Sequence, residues 1–147
     1  MSTATATFTD LLRKPKDVLA HIDDGQVRIT RRDGDDLVIL RGHDLDVLSN
    51  GIALSSRLMR AIGRNRGDAT AAVTDLFAWT SELSASELNS YAEEMERLVY
   101  SASELGTFDQ LLRAQLEWEE TASAYAMGMT PVAPVALPVP AQPVERP

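Results

Sequence analysis

Between Leu11 and Ile22 the apolar positions are Leu11, Leu12, Val18, Leu19 and Ile22, which form one stripe of a helix. Pro15 interrupts the stripe. An interior proline costs roughly 3 kcal/mol, so the pattern predicts a short turn before Pro15 and a helix that begins on it. Upstream, Thr3-Ala-Thr-Ala-Thr7 alternates as a short strand would. Downstream, Asp24-Gly25 ends the helix. Two strand-like runs then follow, Gln26-Val-Arg-Ile-Thr-Arg-Arg32 and Asp36-Leu-Val-Ile-Leu-Arg41, on either side of Asp33-Gly34. Asp-Gly supplies the positive φ values of a two-residue type I′ turn, so a β-hairpin is expected. That turn pairs Ile29 with Val38 and Val27 with Leu40, and sets Arg31 opposite Asp36 and Arg32 opposite Asp35. One face then carries Val27, Ile29, Val38 and Leu40, and the other carries Arg28, Thr30, Leu37 and Ile39.

The remainder reads as helical. A short helix over Asp44 to Ser49 is expected to break at Asn50-Gly51. Ile52, Leu58, Met59 and Ile62 then line a second helix, closed by Gly63. Asp68 is placed to cap a helix carrying Val73, Leu76, Phe77 and Leu83. Ser84-x-x-Glu87 is a capping box ahead of Leu88, Tyr91, Ala92, Met95, Leu98, Val99, Ala102 and Leu105, with Gly106 as the stop. Thr107-x-x-Gln110 caps a last helix with Leu111, Leu112, Leu116, Ala122 and Tyr125. These three helices either form their own bundle or lie against a partner. Six of the seven prolines fall within residues 131–147, which predicts an extended, disordered tail. The fold class expected is α+β: a unit of strand, helix, hairpin and helix over residues 1–50, an all-α region over 51–127, and a proline-rich tail over 128–147.

Charge divides the chain in the same way. Residues 1–67 hold eleven lysines and arginines against nine aspartates, whereas residues 68–147 hold three arginines against thirteen acids. A basic half followed by an acidic half suggests two jobs, the first facing a polyanion. With no cysteine there is no disulfide scaffold, thiolate metal site or cysteine nucleophile. The first eight residues lack the basic and apolar regions of a signal peptide. No apolar run reaches the roughly 20 residues that span a bilayer, so a cytoplasmic protein with no membrane partner is expected.

Catalysis finds little support. His21 and His43 are the two histidines, and Gly42-His43-Asp44 reads as a cap or surface pair. Asp33, Asp35 and Asp36 lack the spacing and terminal glutamate of a calcium loop. Glu93-Glu94-x-Glu96 and Glu117-x-Glu119-Glu120 read as solvated helix faces. No enzyme, cofactor, metal or small-molecule substrate is expected. The cations Arg28, Arg31, Arg32, Arg13 and Lys14 are the candidate chemistry. Guanidinium groups at a hairpin tip and a nearby helix end can bridge phosphates and read guanine edges. Alternatively Arg31 and Arg32 are satisfied by their cross-strand aspartates, which leaves little positive field.

These residues carry a resemblance. Phe8-Thr-Asp-Leu-Leu-Arg-Lys-Pro-Lys-Asp-Val-Leu19, Asp24-Gly25, Val27-x-Ile-Thr-Arg-Arg-Asp-Gly34 and Leu37-Val-Ile-Leu40 together resemble the N-terminal domain of the Phd/YefM (prevent-host-death) antitoxins of type II toxin–antitoxin operons. Gly42 to Leu48 is similar to that domain's short acidic helix. Residues 70–127 look like a helical extension of actinobacterial relatives, through Trp79, Leu105-Gly-x-Phe108, Leu111-Leu112, Glu117-Trp118-Glu119-x-Thr121-Ala122 and Tyr125. The resemblance implies a homodimer that binds its own operator DNA as a repressor, and a C-terminal segment that silences a cognate toxin. By resemblance Arg31 is the DNA-contacting arginine of the Ile-Thr-Arg strand. The family's second such arginine, in its first helix, falls on Asp10 when counted without gaps, and only a shift brings in Arg13. The toxin would be gripped by the acidic helices through anchors such as Leu88, Met95, Leu112 and Trp118, positions that serve equally as intramolecular core. A stand-alone regulator without a toxin and a helical adaptor without DNA binding remain the alternatives.

Overall fold

The computed structural model describes residues 2–129, and they form an α+β protein in which helix predominates. Strand β1 (Ser2–Thr7) leads into α1 (Phe8–Arg13) and α2 (Pro15–Ala20), and a 3₁₀ turn over His21–Asp24 returns the chain to β2 (Gly25–Thr30). Pro15 opens α2 as its first residue, where its missing N–H has no helical partner to lose. β1 lies parallel to β2 in register Ala4↔Val27 and Ala6↔Ile29, so β2 is the central strand of three. Gly25 enters β2 at φ +147° with the Ser2 backbone pressed against it, a place no side chain can share.

The hairpin forms, but in a different register. β3 (Leu37–Ile39) pairs antiparallel to β2 through Val27↔Ile39, Arg28↔Val38 and Ile29↔Leu37. The connection is a loop over residues 31–36, not a two-residue Asp33-Gly34 turn. Gly34 is not among the positive-φ glycines, so the type I′ geometry is absent. Instead the Arg31 Nε–H donates to the Asp35 carbonyl at 2.8 Å, and the loop closes over that side chain. Because strand faces alternate, the one-residue slip exchanges the faces of β3. Leu37 and Ile39, not Val38 and Leu40, lie on the side of Val27 and Ile29. Ile39 packs on the small core of Val18, Val27 and Ile29.

Helix α3 (Gly42–Arg64) is continuous, where a break at Asn50-Gly51 and a stop at Gly63 were expected. Gly51 is buried against Phe108, so its missing side chain serves close packing, not a turn. The division expected at residue 50 therefore falls inside one helix. Packing instead changes hands after β3, since Val47 already belongs with the second core. Helix α4 (Ala69–Leu76) starts on Asp68, whose side chain accepts from the Ala71 N–H at 3.0 Å. It ends at Leu76, about two turns earlier than expected, and Phe77 and Leu83 flank a 3₁₀ turn over Ala78–Glu82.

Helix α5 (Ala85–Leu105) has the Ser84/Glu87 capping box in both directions and ends on a left-handed Gly106. Helix α6 (Asp109–Ala126) starts at Phe108 without a side-chain cap, so Thr107 does not cap it. Leu116 lies on the exposed side of α6. Helices α3 to α6 enclose one core around Leu58, Val73, Tyr91, Met95, Val99 and Leu111. Through it run stacked or tilted aromatic contacts: Phe77 on Trp79 at 5.7 Å, Trp79 on Tyr91 at 5.1 Å, and Tyr91 on Trp118 at 5.7 Å. The expected tail lies, from residue 130 onward, outside the described residues. Among the described residues no helix is long and apolar enough to cross a membrane.

Candidate nucleic-acid interface

The end of β2, the loop after it and the start of α1 meet at one end of the sheet, where Thr7 pairs with Thr30. Thr7 ends β1 and caps α1: its hydroxyl accepts from the Asp10 N–H at 3.0 Å, and the Asp10 carboxylate accepts from the Thr7 N–H at 3.1 Å. That backbone N–H, with the Thr7 hydroxyl, holds the Asp10 carboxyl below the usual aspartate value. In the adjacent strand the Thr30 hydroxyl donates to the Ala6 carbonyl at 3.4 Å. Between these elements opens a cleft of about 550 Å³, lined by Thr7, Phe8, Thr9, Thr30 and residues 31–33.

The structure sorts the five candidate cations. Arg31 and Arg32 line the cleft and are exposed. The Arg31 Nε–H is committed to the Asp35 carbonyl, while its terminal nitrogens make no hydrogen bond among the described residues. Arg32 makes no hydrogen bond or ion pair among the described residues. The expected partnerships Arg31–Asp36 and Arg32–Asp35 do not form, because the register slip carries Asp36 to Arg28, at 3.4 Å. Arg28 is thus held in an exposed ion pair that contributes little stability. Arg13 and Lys14 lie at the other end of α1, roughly 9 Å along its axis. Lys14 lines a separate, smaller cleft with Asp10, Asp17 and His21. The geometry therefore joins Arg31 with Arg32, keeps Arg28 nearby but paired, and separates Arg13 and Lys14.

The chain has no match among family models, curated proteins or solved structures.

What the cleft can do follows from its own chemistry. Guanidinium donors beside the Thr7 and Thr9 hydroxyls suit phosphate oxygens, which accept from both, whereas the Thr30 proton is already given to the Ala6 carbonyl. The three threonines were not singled out by sequence. The Thr7-x-x-Asp10 spacing, a capping box with Asp in the third position, was the signal that would have placed Thr7 and Thr9 at a helix start; Thr30 has no such signal.

Strand β3 and helix α3 leave apolar surface open. Leu37 and Val38 of β3 are each about two-fifths exposed, and Leu45 and Ile52 of α3 about half exposed. The four candidate partner anchors lie elsewhere. Met95 is completely buried in the chain's own core, and Leu88, Leu112 and Trp118 pack against it. The Trp118 indole N–H donates to Glu94 at 2.8 Å. In the folded chain these residues are core, the alternative already open for them, because α5 and α6 close on α3 and α4. Among the described residues no group of three or more histidines, aspartates or glutamates is placed to hold a metal.

Proposed function

We propose that this chain is a homodimeric DNA-binding regulator of the antitoxin kind, whose first fifty residues contact an operator. The observation that carries the reading is the cleft at which Arg31 and Arg32 stand with uncommitted donors beside Thr7, Thr9 and Thr30. Its mechanism is phosphate neutralisation by those arginines, with affinity that falls steeply as salt rises. A homodimer is supported by the apolar surface of β3 and early α3. The sheet unit has only three buried apolar residues of its own, too small a core to leave Leu37 and Val38 in water without cost, and Leu45 and Ile52 of α3 add further exposed apolar area. Two-fold symmetry of such a dimer would match a palindromic site.

The toxin-neutralising half of the reading rests on the acid excess of residues 68–147. A basic toxin surface would meet the outward carboxylates of α5 and α6 and not Met95, which is buried, or Leu88, Leu112 and Trp118, which pack partly buried on the same core. A second reading, a stand-alone regulator without a toxin, is favoured by the closure of the helical region on itself around Tyr91 and Met95.

Two measurements test these readings. The chain is titrated against DNA from immediately upstream of its own gene, as wild type and as Arg31→Ala and Arg32→Ala. Weaker binding, with a slope of log affinity against log salt shallower by about 0.9 for each lost phosphate contact, is expected. Unchanged affinity and slope would remove the cleft from the interface. Co-expression with the product of the neighbouring gene then separates the two readings. Growth arrest relieved by a co-purifying complex identifies an antitoxin, and a harmless, non-binding neighbour leaves the stand-alone regulator.

A further inference from the structure

Residues 47–67 hold four arginines, Arg57, Arg60, Arg64 and Arg66, and no aspartate or glutamate, in a chain whose net charge is −8. On a helix of 3.6 residues per turn Arg57, Arg60 and Arg64 fall within an arc of about 60° and span about 10 Å of the axis. All three are exposed, because the opposite face of α3 buries Leu54, Leu58, Ala61 and Ile62 in the helical core. None of the four arginines forms an ion pair among the described residues. The acids that follow them are engaged elsewhere. Asp68 caps α4, and Asp75 accepts from the Asn65 side-chain amide at 3.0 Å.

Two features indicate that this positive surface is held in place. The Arg57 guanidinium lies over the Phe77 ring, 5.3 Å from its centroid, a cation–π contact made by a residue that stays exposed. Arg66 adopts φ 55°, in the left-handed region, which costs a non-glycine residue roughly 1–2 kcal/mol. Asparagine or glycine would close the turn between α3 and α4 at lower cost. An arginine stands there instead, beside the stripe.

We propose that the outward face of the second half of α3, with Arg60 and Arg64 at its centre, is a second contact surface for the phosphate backbone of duplex DNA, separate from the hairpin cleft. Duplex DNA presents one negative charge per roughly 1.7 Å of axis, so three guanidinium groups spread over about 10 Å all find phosphates without rearrangement. An acidic protein surface offers far sparser charge. The stripe begins roughly 20 Å along α3 from its start, next to the sheet, a distance within one turn of duplex, which is about 34 Å. The inference rests on the DNA-binding reading of the chain and adds a second patch to its footprint.

The test uses the full chain, a mixed-sequence duplex of several helical turns, and fluorescence anisotropy between about 50 and 200 mM salt. Wild type is compared with R60Q/R64Q and with R31A. The double variant is expected to bind more weakly, with a salt slope shallower by about 1.8, and to keep the wild-type unfolding midpoint, since both side chains are exposed and unpaired. Wild-type binding with an unchanged slope in R60Q/R64Q overturns the stripe and leaves the hairpin cleft standing. A changed slope in R60Q/R64Q with none in R31A sustains the stripe and removes the cleft. No duplex binding by wild type overturns both. Self-association of wild type that R60Q/R64Q abolishes, with its DNA slope unchanged, assigns the stripe to the acidic face of a second copy and also overturns the proposal.

Discussion

The Phe108 side chain occupies the space that a side chain at Gly51 would need. Its Cβ and ring carbons lie against the α3 backbone there, and both residues are buried. This contact docks the start of α6 on the middle of α3. It also explains why a glycine sits inside a continuous helix of 23 residues.

Two alanine substitutions in α3 should therefore act in opposite directions. Gly51→Ala gains roughly 1 kcal/mol of helix propensity but forces Phe108 from its place, and overpacking of that kind costs about 1–3 kcal/mol. A net loss of stability is expected. Gly63→Ala has nothing within 4 Å of the new methyl group and should stabilise by about 0.5–1 kcal/mol. Urea unfolding of the two variants and wild type reads both. A stabilised Gly51→Ala would mean that Phe108 does not close on α3.

The hydroxyl of Tyr91 is the buried polar tie between α5 and α6. It donates to Gln115 Oε1 at 2.6 Å, and Gln115 Nε2 donates to Glu119 at 2.7 Å. Burial pushes the Tyr91 phenol well above the ordinary tyrosine value of 10.0. Tyr91→Phe keeps the ring contacts with Trp79 and Trp118 but strips the Gln115 oxygen of its donor. A loss of about 1–3 kcal/mol in denaturant unfolding is expected, and a variant as stable as wild type would show that Gln115 finds another donor.

How far the chain could be read in advance depended on what each signal consisted of. The Ser84/Glu87 box, the Asp68 cap, Pro15 at a helix start and Gly106 at a helix end are local chemistry, and each appears where the sequence placed it. Asn50-Gly51 and Asp33-Gly34 carried the same kind of local signal and were overruled by tertiary contacts. Phe108 needed a bare backbone at Gly51, and Arg31 bridged to the Asp35 carbonyl in place of a tight turn. Of the candidate site, Arg31 and Arg32 were legible as a basic pair. The threonines beside them depended on β1 pairing in parallel with β2, which alternation over residues 3–7 alone does not specify. Met95, Leu88, Leu112 and Trp118 illustrate a different limit, because an apolar helical stripe has the same spacing whether it faces its own bundle or a partner.

Glu87 should make the helical region sensitive to acid. Its carboxylate accepts from the Tyr125 hydroxyl at 2.6 Å and from the Ser84 N–H at 2.9 Å, and these bonds hold it below its ordinary value of 4.5. A depressed folded value means stabilisation that is complete above the unfolded value and lost as pH falls through the folded one. Tyr125 behaves oppositely. Its bond to Glu87 raises the phenol above 10.0, so that contribution is present below this value and is lost as pH rises through the folded one. Glu87→Gln keeps an acceptor but removes the charge. Unfolding free energy measured from neutrality down through the carboxylate range should fall less steeply with pH in Glu87→Gln than in wild type. Parallel curves would show that the pair carries no pH dependence.

Met95 and Leu116 should separate stability from partner contact. Met95 is wholly enclosed by the core, and its truncation to alanine is expected to cost about 2–5 kcal/mol, whatever the chain binds. Leu116, on the outer side of α6 and more than half exposed, should tolerate alanine within about 0.5 kcal/mol. Any loss of partner binding in Met95→Ala would therefore track unfolding and disappear at temperatures where the variant is fully folded. A loss in Leu116→Ala at unchanged stability would instead mark the outer face of α6 as the surface the partner touches. If Met95→Ala unfolds like wild type and still fails to capture the partner, the bundle must open to expose that side chain, and the closed core would be only the unbound arrangement.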